Sequence, residues 1–448
     1  MTSNYTSTTN ACKLCRPLGA SVAFRGIEGC VPFLHGSQGC ATYMRRYIIS
    51  HFNEPIDIAS SSLGEKNAIY GGSANLKLGL KNITAKYHPA LIGIATTCLT
   101  ETIGDDVPHI LKEYQQEFGS ADSPKLINIA TPSYSGSHME GFHGAVTAAV
   151  EQLSEIAPAN DTINILAGFI SAADIRYLKA VCLDFGIDCT LLPDFSETLD
   201  GQALDDYPLI PKGGTPIERI KNMGGAKATI ELGATLPEKT AGTYLEQQHK
   251  TPLFRTGLPI GIRQTDLFFD ILEKSSALPT PKKHLECRGR LIDAMVDGHK
   301  YIFGKKAVVY GEEDMVVGLT SFLAEIGIQP VVCASGGKSG QLLTAIELAL
   351  DGLGCQLPEV VEDVDFYDIE EMVQSLDVDL LIGHSKGYTF ARRQNIPLIR
   401  VGFPIHDRVG GQRILHLGYD GALQLFDTIT NTVIAHKQDS SDVGYSYM

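Results

Sequence analysis

The sequence lacks any apolar stretch long enough to cross a lipid bilayer. Its longest apolar runs are short, such as "ALIGIA" and "AVVYG", whereas a membrane-spanning helix needs roughly 20 apolar residues. The amino terminus, "MTSNYTSTTN", has neither a basic start nor an apolar segment, so it predicts no signal peptide. These absences predict a cytoplasmic protein that does not associate with a membrane.

Basic residues are scarce relative to acidic ones. The chain has 37 Lys and Arg against 52 Asp and Glu, which gives a net charge of −15 at pH 7. Proteins that bind nucleic acids usually present a basic face, so this balance argues against a nucleic-acid partner. The hydrophobic content of 44% is instead typical of a folded globular chain.

Short apolar runs alternate with amphipathic stretches of helical length. The 448 residues exceed one ordinary domain of roughly 100–200 residues. Strand–helix–strand patterns occur at 162–195, 306–336 and 378–404, and such units form parallel sheets with right-handed crossovers. The sequence therefore predicts an α/β fold with three Rossmann-like domains and mainly parallel sheets. The predicted domains are 1–157, 158–303 and 304–448.

Two polar positions follow neighbouring predicted strands. Cys98 comes where "LIGIATT" ends, and Ser133 comes where "LINIATP" ends. The carboxyl ends of parallel strands meet at one edge of a sheet, where open α/β folds bind their ligands. Cys98 and Ser133 are therefore expected at one binding edge.

The ten cysteines are not expected to form a disulfide framework in a long cytoplasmic chain. Cys12 and Cys15 have the C-x-x-C spacing, but a zinc site would need a second close pair, which the sequence lacks. Widely spaced cysteines in loops suit an iron–sulfur cluster. Burial as structural thiols is the alternative, and for Cys15, Cys40 and Cys98 both remain open. Burial is favoured for Cys30 and for the cysteines in helix or strand patterns, which are Cys182, Cys189, Cys287, Cys333 and Cys355.

Two glycine-rich segments do not predict nucleotide binding. "GGSAN" (71–75) and "ASGGKSG" (334–340) both lack the spacing of a phosphate-binding loop. A flexible turn is the expected structure of the second segment.

Several gapped motifs resemble one family in their order and spacing. "PLGA", "HGSQGC", "HFNEPIDIASSS", "TTCLTETIGDDV" and "TPSYSGSH" are similar to the beta-type chains of the nitrogenase component 1 superfamily, and "LPIGIRQTD" and "IPLIRVGFPIHDR" extend the likeness. The resemblance implies three α/β domains and an α2β2 assembly with a homologous alpha-type chain. It also implies an ATP-dependent iron protein as reductase partner, and an iron–sulfur cluster between the alpha- and beta-type chains.

The resemblance also implies roles for particular residues. The implied iron ligands are the cysteines of three motifs: Cys15, Cys40 and Cys98. Ser133 is expected to approach the cluster, while Gly36 and Gly39 let the backbone come close to it. The cluster would be either a 4Fe-4S cluster or an eight-iron cluster of the P-cluster type. Surrounding or merely packing roles remain open for His35, Arg45, Arg46 and His51.

Three branches of this superfamily remain open: the catalytic nitrogenase beta chain, the scaffold chain for iron–molybdenum cofactor biosynthesis, and nitrogenase-like reductases that include methylthio-alkane reductases. The extra Cys12 in "NACKLCRPLGA" and the ending "KQDSSDVGYSYM" favour the scaffold. The complete set of Cys15, Cys40 and Cys98 favours an eight-iron cluster and an electron-relaying reductase subunit. The scaffold is the expectation and the electron-relaying subunit the alternative, so whether the chain is part of an enzyme is left open.

Overall fold

Three β-sheets form the framework of the protein, and a computed structural model describes residues 10–442. The first sheet has the strand order β2-β1-β3-β4, the second β6-β5-β7-β8 and the third β11-β10-β9-β12-β13. The paired strands run parallel, which confirms the predicted fold class. The strands are β1 (Cys30–His35), β2 (Ala59–Ser60), β3 (Leu91–Thr96), β4 (Lys125–Ile129), β5 (Ile163–Leu166), β6 (Cys189–Leu192), β7 (Ala228–Leu232), β8 (Leu253–Thr256), β9 (Lys306–Tyr310), β10 (Gln329–Ala334), β11 (Glu359–Val361), β12 (Leu380–Gly383) and β13 (Leu398–Arg400).

Helices connect the strands. They are α1 (Arg16–Arg25), α2 (Gln38–Phe52), α3 (Glu65–Tyr70), α4 (Ser73–Tyr87), α5 (Cys98–Ile103), α6 (Val107–Phe118), α7 (His138–Leu153), α8 (Ala172–Asp184), α9 (Ile217–Lys221), α10 (Ala241–Tyr244), α11 (Gly261–Ser276), α12 (Lys282–Ile302), α13 (Glu313–Glu325), α14 (Leu342–Leu350), α15 (Phe366–Val373), α16 (Tyr388–Gln394) and α17 (Gly418–Asp439).

The chain divides into two compact units. The amino-terminal unit comprises 14–232 and 237–255, and the carboxy-terminal unit comprises 1–13, 233–236 and 256–448 as far as these are described. Each sheet falls within one of the three predicted domain segments, but the division into three domains stays a prediction.

In the first sheet, β1 and β3 are buried along their whole length. Strands covered on both faces carry nearly continuous apolar sequence, as in "LIGIA" of β3. Gly93 lies within that run because a Cβ there would come within 2.4 Å of the Phe24 ring on α1. The small residue allows α1 to pack closely on the sheet.

Helix α1 is fixed by backbone contact with α7. A Cβ on Gly19 would lie 1.7 Å from the His138 carbonyl oxygen, and a Cβ on Gly141 would lie 1.9 Å from the Arg16 carbonyl oxygen. The two helices therefore approach more closely than side chains would permit. This contact fixes the start of α1, and with it Cys15, against the start of α7.

Helix α6 lies between β3 and β4. Asp106 caps it by accepting a hydrogen bond from the His109 N–H at 3.0 Å, which satisfies a backbone donor that no helical carbonyl can reach. Its buried face, which includes Ile110, Leu111 and Tyr114, follows the helical period expected from the sequence.

In the carboxy-terminal unit, the carboxyl edge of the third sheet is covered by chain. A Cβ on Gly336, just after β10, would lie 2.6 Å from the Cys12 backbone. Cys12 Sγ lies 3.7 Å from His384 Nε2 at the end of β12, and Tyr310 Oη donates to the His384 carbonyl at 2.9 Å. The segment around Cys12 thus closes this edge and joins the core built on Tyr310 and Phe366.

Candidate metal centre: a cysteine rim on the first sheet

Ser133 brings two of the proposed ligand cysteines together. Its hydroxyl accepts a hydrogen bond from the Arg16 N–H at 3.2 Å, directly after Cys15. Its own N–H donates to Cys98 Sγ at 3.1 Å. One residue in the loop after β4 therefore contacts both the start of α1 and the thiol after β3. This confirms that Cys98 and Ser133 share one edge of the sheet.

The hydroxyl of Ser133 does not cap the helix that follows. Ser137 does so, accepting from the Met139 N–H at 3.2 Å, while Glu140 closes a capping box. The Ser133 hydroxyl is thus engaged with the Cys15–Arg16 backbone instead.

Cys40 lies in the first turn of α2, after the loop that follows β1. The Ser37 hydroxyl donates to Cys40 Sγ at 3.4 Å. A Cβ on Gly36 would come within 2.2 Å of Thr97 Oγ1, the neighbour of Cys98, and the Thr97 N–H donates to the His35 carbonyl at 3.1 Å. Gly36 is therefore required for the two loops to meet.

The start of α2 is also coupled to Cys15 through Tyr43. The pKa of Tyr43 is raised mainly by burial. The hydrogen bond and charge of Tyr47 raise it further, and the charge of Cys15 contributes as well. A charge effect of this kind requires Cys15 to be near the first turns of α2. We call Cys15, Cys40, Cys98 and Ser133 the cysteine rim.

The three thiols of the rim share two properties. Each lies at the beginning of a helix. Cys15 directly precedes α1, Cys40 is in the first turn of α2, and Cys98 is the first residue of α5. Each reaches the surface, since Cys15 and Cys40 are half-buried and Cys98 is exposed. Helix amino termini favour negative charge. The rim therefore suits thiolates that bind something outside this fold.

Other cysteines differ sharply. Burial raises the pKa of Cys12, Cys30 and Cys333 to about 12 each, so these thiols stay protonated at neutral pH. Cys182 and Cys287 are also buried, while Cys189 and Cys355 are only half-buried. A raised pKa and full burial fit packing roles, as the sequence favoured for Cys30 and Cys333.

The four residues expected around the rim divide into two buried histidines and two exposed arginines. His35 is fully buried, contacts Ser61 Oγ at 2.9 Å through Nδ1, and contacts Asp105 Oδ2 at 3.0 Å through Nε2. Burial lowers the pKa of His35, although Asp105 opposes the shift. His35 thus connects the end of β1 to the segments that carry Ser61 and Asp105. His51 is buried as well, whereas Arg45 and Arg46 are exposed.

Gly39 has no crowding neighbour among the described residues. A Cβ there would find only Ser37 Oγ, at 3.9 Å, so the fold of this chain does not itself require glycine. The sequence did not identify Thr97 or Arg16 as positioning residues. The clue for Thr97 was its place between a strand and the cysteine of "TTC".

Within residues 10–442, no three His, Cys, Asp or Glu side chains converge tightly enough to hold a single metal ion. The rim is accordingly more open than a closed zinc site, in which four ligands surround one ion. An iron–sulfur cluster instead accepts thiolates on separate loops, each at a different iron. No helix of the described part of the chain is long and apolar enough to cross a membrane.

Comparison with known proteins matches this chain to a family. The profile "Nitrogenase component 1 type Oxidoreductase" matches residues 15–434. The nitrogenase molybdenum-iron protein beta chain of Clostridium pasteurianum is 37% identical over 426 residues, covering 95% of this chain and 93% of that protein. The vanadium-iron protein beta chain of Trichormus variabilis is 34% identical over 439 residues, covering 96% and 94%.

A solved structure agrees. The chain described as "Nitrogenase Cp1 at pH 6.5" has a TM-score of 0.96 and 34% identity, covering 100% of this chain and 98% of that one. These matches extend over nearly the full length of both partners in each comparison. The chain belongs to the nitrogenase component 1 type oxidoreductase family and is of the beta-chain type.

Proposed function

We propose that this chain is the electron-relaying beta subunit of a nitrogenase-like oxidoreductase, and that Cys15, Cys40 and Cys98 hold an iron–sulfur cluster at its contact with a homologous alpha-type chain. The observation that carries the proposal is the cysteine rim, in which Ser133 hydrogen-bonds both Cys98 and the residue after Cys15, and Gly36 lets the loop before Cys40 meet Thr97, the neighbour of Cys98. Full-length relatives named as nitrogenase beta chains support it.

The residues present fit such a cluster chemically. Thiolates are the usual ligands of iron–sulfur clusters, and hydrogen bonds to their sulfur atoms tune the reduction potential. The Ser133 N–H already donates to Cys98 Sγ, and the Ser37 hydroxyl to Cys40 Sγ. A bound cluster would supply one-electron transfer, while these donors and the helix starts would stabilise its negative charge.

The openness of the rim supports a partner chain. Its three thiols reach the surface, since Cys15 and Cys40 are half-buried and Cys98 is exposed, which leaves them accessible to a second protein. Large apolar side chains near these loops are exposed, which is typical of surfaces that a partner covers. They are Tyr43, Ile69, Tyr70 and Tyr134. We propose the α2β2 assembly of the family, with an ATP-dependent iron protein as electron donor.

The scaffold role in iron–molybdenum cofactor biosynthesis is the second candidate, favoured by two sequence features. One is the extra Cys12, which is buried against His384 with a raised pKa and so is unsuited to bind iron as a thiolate. The other is the ending "KQDSSDVGYSYM", of which 443–448 lie outside the described residues. Because the complete rim is better explained by electron relay, we place the scaffold second.

Anaerobic co-purification with the alpha-type chain, followed by iron analysis and EPR, tests the cluster proposal. We expect iron to remain with the complex and to be lost on combined replacement of Cys15, Cys40 and Cys98 by alanine. A complex with no iron would overturn the proposal and leave a cluster-free binding protein.

Ser133→Ala separates the two candidates. In an electron-relaying subunit the hydroxyl beside the cluster is expected to affect the oxidised state, so the EPR signal after two-electron oxidation should change. In a scaffold the signal should stay unchanged. Ser135→Ala is the matched control, because Ser135 lies in the same loop and its hydrogen bonds are to the Arg16 guanidinium and the Pro132 carbonyl.

A further inference from the structure

A cavity of about 390 Å³ lies in the amino-terminal unit at the far end of α1. It is enclosed by Arg25 at the end of that helix, by the segment 54–57 and by the loop 197–213. Its volume lies within the range of small-molecule sites, roughly 300–1,000 Å³. None of the residues of the cysteine rim lines it.

The loop that encloses the cavity is anchored at both ends to the turn after α1. The Thr198 hydroxyl donates to the Arg25 carbonyl at 2.7 Å, and the Thr215 N–H donates to the Gly26 carbonyl at 2.8 Å. Gly214 has a φ of +98°, and a Cβ there would lie 2.5 Å from the Glu28 nitrogen. These contacts form the cavity before any ligand binds, which lowers the entropic cost of binding.

Arg25 is the unusual member of the lining. Only 4% of it is exposed, and its Nε is buried with no hydrogen-bond partner among the described residues. Burial lowers the pKa of Arg25, partly offset by Cys30 and Asp57. A buried cation without a paired anion is costly, and a guanidinium binds carboxylates through two parallel hydrogen bonds. Arg25 is therefore poised to receive a carboxylate.

Two of the acidic groups that line the cavity, Asp57 and Glu197, have other partners. Asp57 accepts a hydrogen bond from Tyr87 Oη at 2.8 Å and lies 3.7 Å from Arg45. Glu197 lies 3.7 Å from Arg176. Both carboxylates are thus already engaged with other groups.

The remaining lining restricts the charge and shape of the ligand. Two cations, Arg25 and Lys212, face three carboxylates: Glu54, Asp57 and Glu197. This excess of negative charge disfavours phosphates and dicarboxylates, but it tolerates a carboxylate balanced by an ammonium group. Leu204, Tyr207 and Leu209 supply an apolar wall.

We propose that this cavity binds a free α-amino acid with an apolar side chain, whose carboxylate pairs with Arg25 and whose side chain packs on Leu204, Tyr207 and Leu209. The site is independent of the cluster proposal, because it shares no residue with the rim.

Isothermal titration calorimetry of the anaerobically purified complex tests the proposal, with L-phenylalanine and L-leucine as probes. We expect saturable binding of at least one probe. 3-Phenylpropanoate, which lacks the ammonium, should bind at least tenfold more weakly than L-phenylalanine, and 2-phenylethylamine, which lacks the carboxylate, should not bind. No binding of either amino acid overturns the proposal, and equal binding of 3-phenylpropanoate overturns the assignment to an amino acid.

Arg25→Met keeps the length of the side chain and removes its charge. It should abolish binding while leaving the iron content unchanged, and the thermal midpoint should rise because a buried unpaired charge is removed. Retained binding in this variant would overturn the role of Arg25.

A second variant avoids buried positions. Leu204 and Leu209 are 41% and 56% exposed, so their joint replacement by serine should not prevent folding. Binding should weaken about tenfold through lost apolar contact. Leu183→Ser is the control, since Leu183 is 78% exposed and lies on α8, outside the cavity. Equal affinity in the double variant and the control would contradict the proposed packing.

Discussion

The carboxyl edges of the first and third sheets are both built from parallel strands, but the first is accessible at Cys98 whereas the third is covered by chain. On the first sheet, Cys98 is exposed and Ser133 joins it to the start of α1. On the third, Cys12 is buried against His384, and the chain around it covers the edge. The comparison teaches that strand order and residue type do not decide which edge can bind a ligand. Whether a neighbouring segment already covers the edge decides it.

The largest expected contrast is in bound iron. Cys40→Ala removes a thiolate from the rim, and an incompletely ligated cluster is readily oxidised or lost, so iron per complex should fall by more than half. Cys12→Ala removes a protonated thiol that contacts His384, so iron should stay near the wild-type value. Iron analysis of both anaerobically purified complexes measures the difference. Equal iron in the Cys40 variant and the wild type would refute the role of Cys40.

Two glycines in one loop sharpen the comparison. Gly36→Ala forces a Cβ into Thr97 and should lower the free energy of unfolding by about 1–3 kcal/mol, the usual cost of overpacking. Gly39→Ala has room and should change it by less than about 0.5 kcal/mol, as at other surface positions. Urea denaturation of each variant measures these values.

Iron analysis of the same variants completes this test. If Gly39 lets the backbone approach the cluster, Gly39→Val should lower bound iron without a loss of folding stability. Full iron in Gly39→Val would show that this position has no such role.

A third test concerns the buried thiols above pH 9. Burial raises the pKa of Cys333 in the folded protein from the ordinary thiol value of 9.0 to about 12. The unfolded chain therefore releases the proton first, and stability present below pH 9 is lost as the pH rises toward 12. The loss per buried thiol approaches about 1.4 kcal/mol for each pH unit. Cys333→Ala should reduce the slope of unfolding free energy against pH in this window.

Val332→Ala is the control for that slope. Val332 is a fully buried neighbour on β10, so its truncation should lower stability by the same amount at pH 8 and pH 10. An unchanged slope in Cys333→Ala would contradict the raised pKa of this thiol.

The smallest expected effect concerns the ion pair beside Cys12. Lys13 Nζ lies 2.7 Å from Asp363 Oδ1, with side chains 34% and 46% exposed. Exposed pairs contribute about 0–1 kcal/mol, so Lys13→Met should change the urea midpoint only slightly. A larger loss would mean that this pair, rather than the burial of Cys12, holds the segment over the third sheet.

Sequence periodicity predicted most of the regular structure. The strand ending at Thr96 and the unit from β9 to β10 occur where the pattern placed them, because strands buried on both faces carry continuous apolar runs. Helix α5, which starts at Cys98, was not expected, since six residues show no clear period. Strands β7 and β8 lie outside the three strand–helix–strand patterns found in the sequence.

The candidate site was only partly predictable. Strand ends placed Cys98 and Ser133 on one edge, but they did not predict what the Ser133 hydroxyl would contact. The contact of Ser133 with the Arg16 N–H depends on a long-range approach that no local pattern encodes. The cavity at Arg25 was missed for the same reason, because its loop is held by a hydrogen bond between Thr198 and Arg25, which are 173 positions apart.

The glycine contact between α1 and α7 has an evolutionary consequence. Neither Gly19 nor Gly141 leaves room for even one methyl group, and each opposes backbone rather than a side chain. A neighbouring substitution cannot compensate, because a carbonyl oxygen is present whatever residue is inherited. Lineages of this protein are therefore expected to vary freely at Gly39 when the cluster role is absent, while Gly19 and Gly141 stay unchanged for as long as the fold is kept.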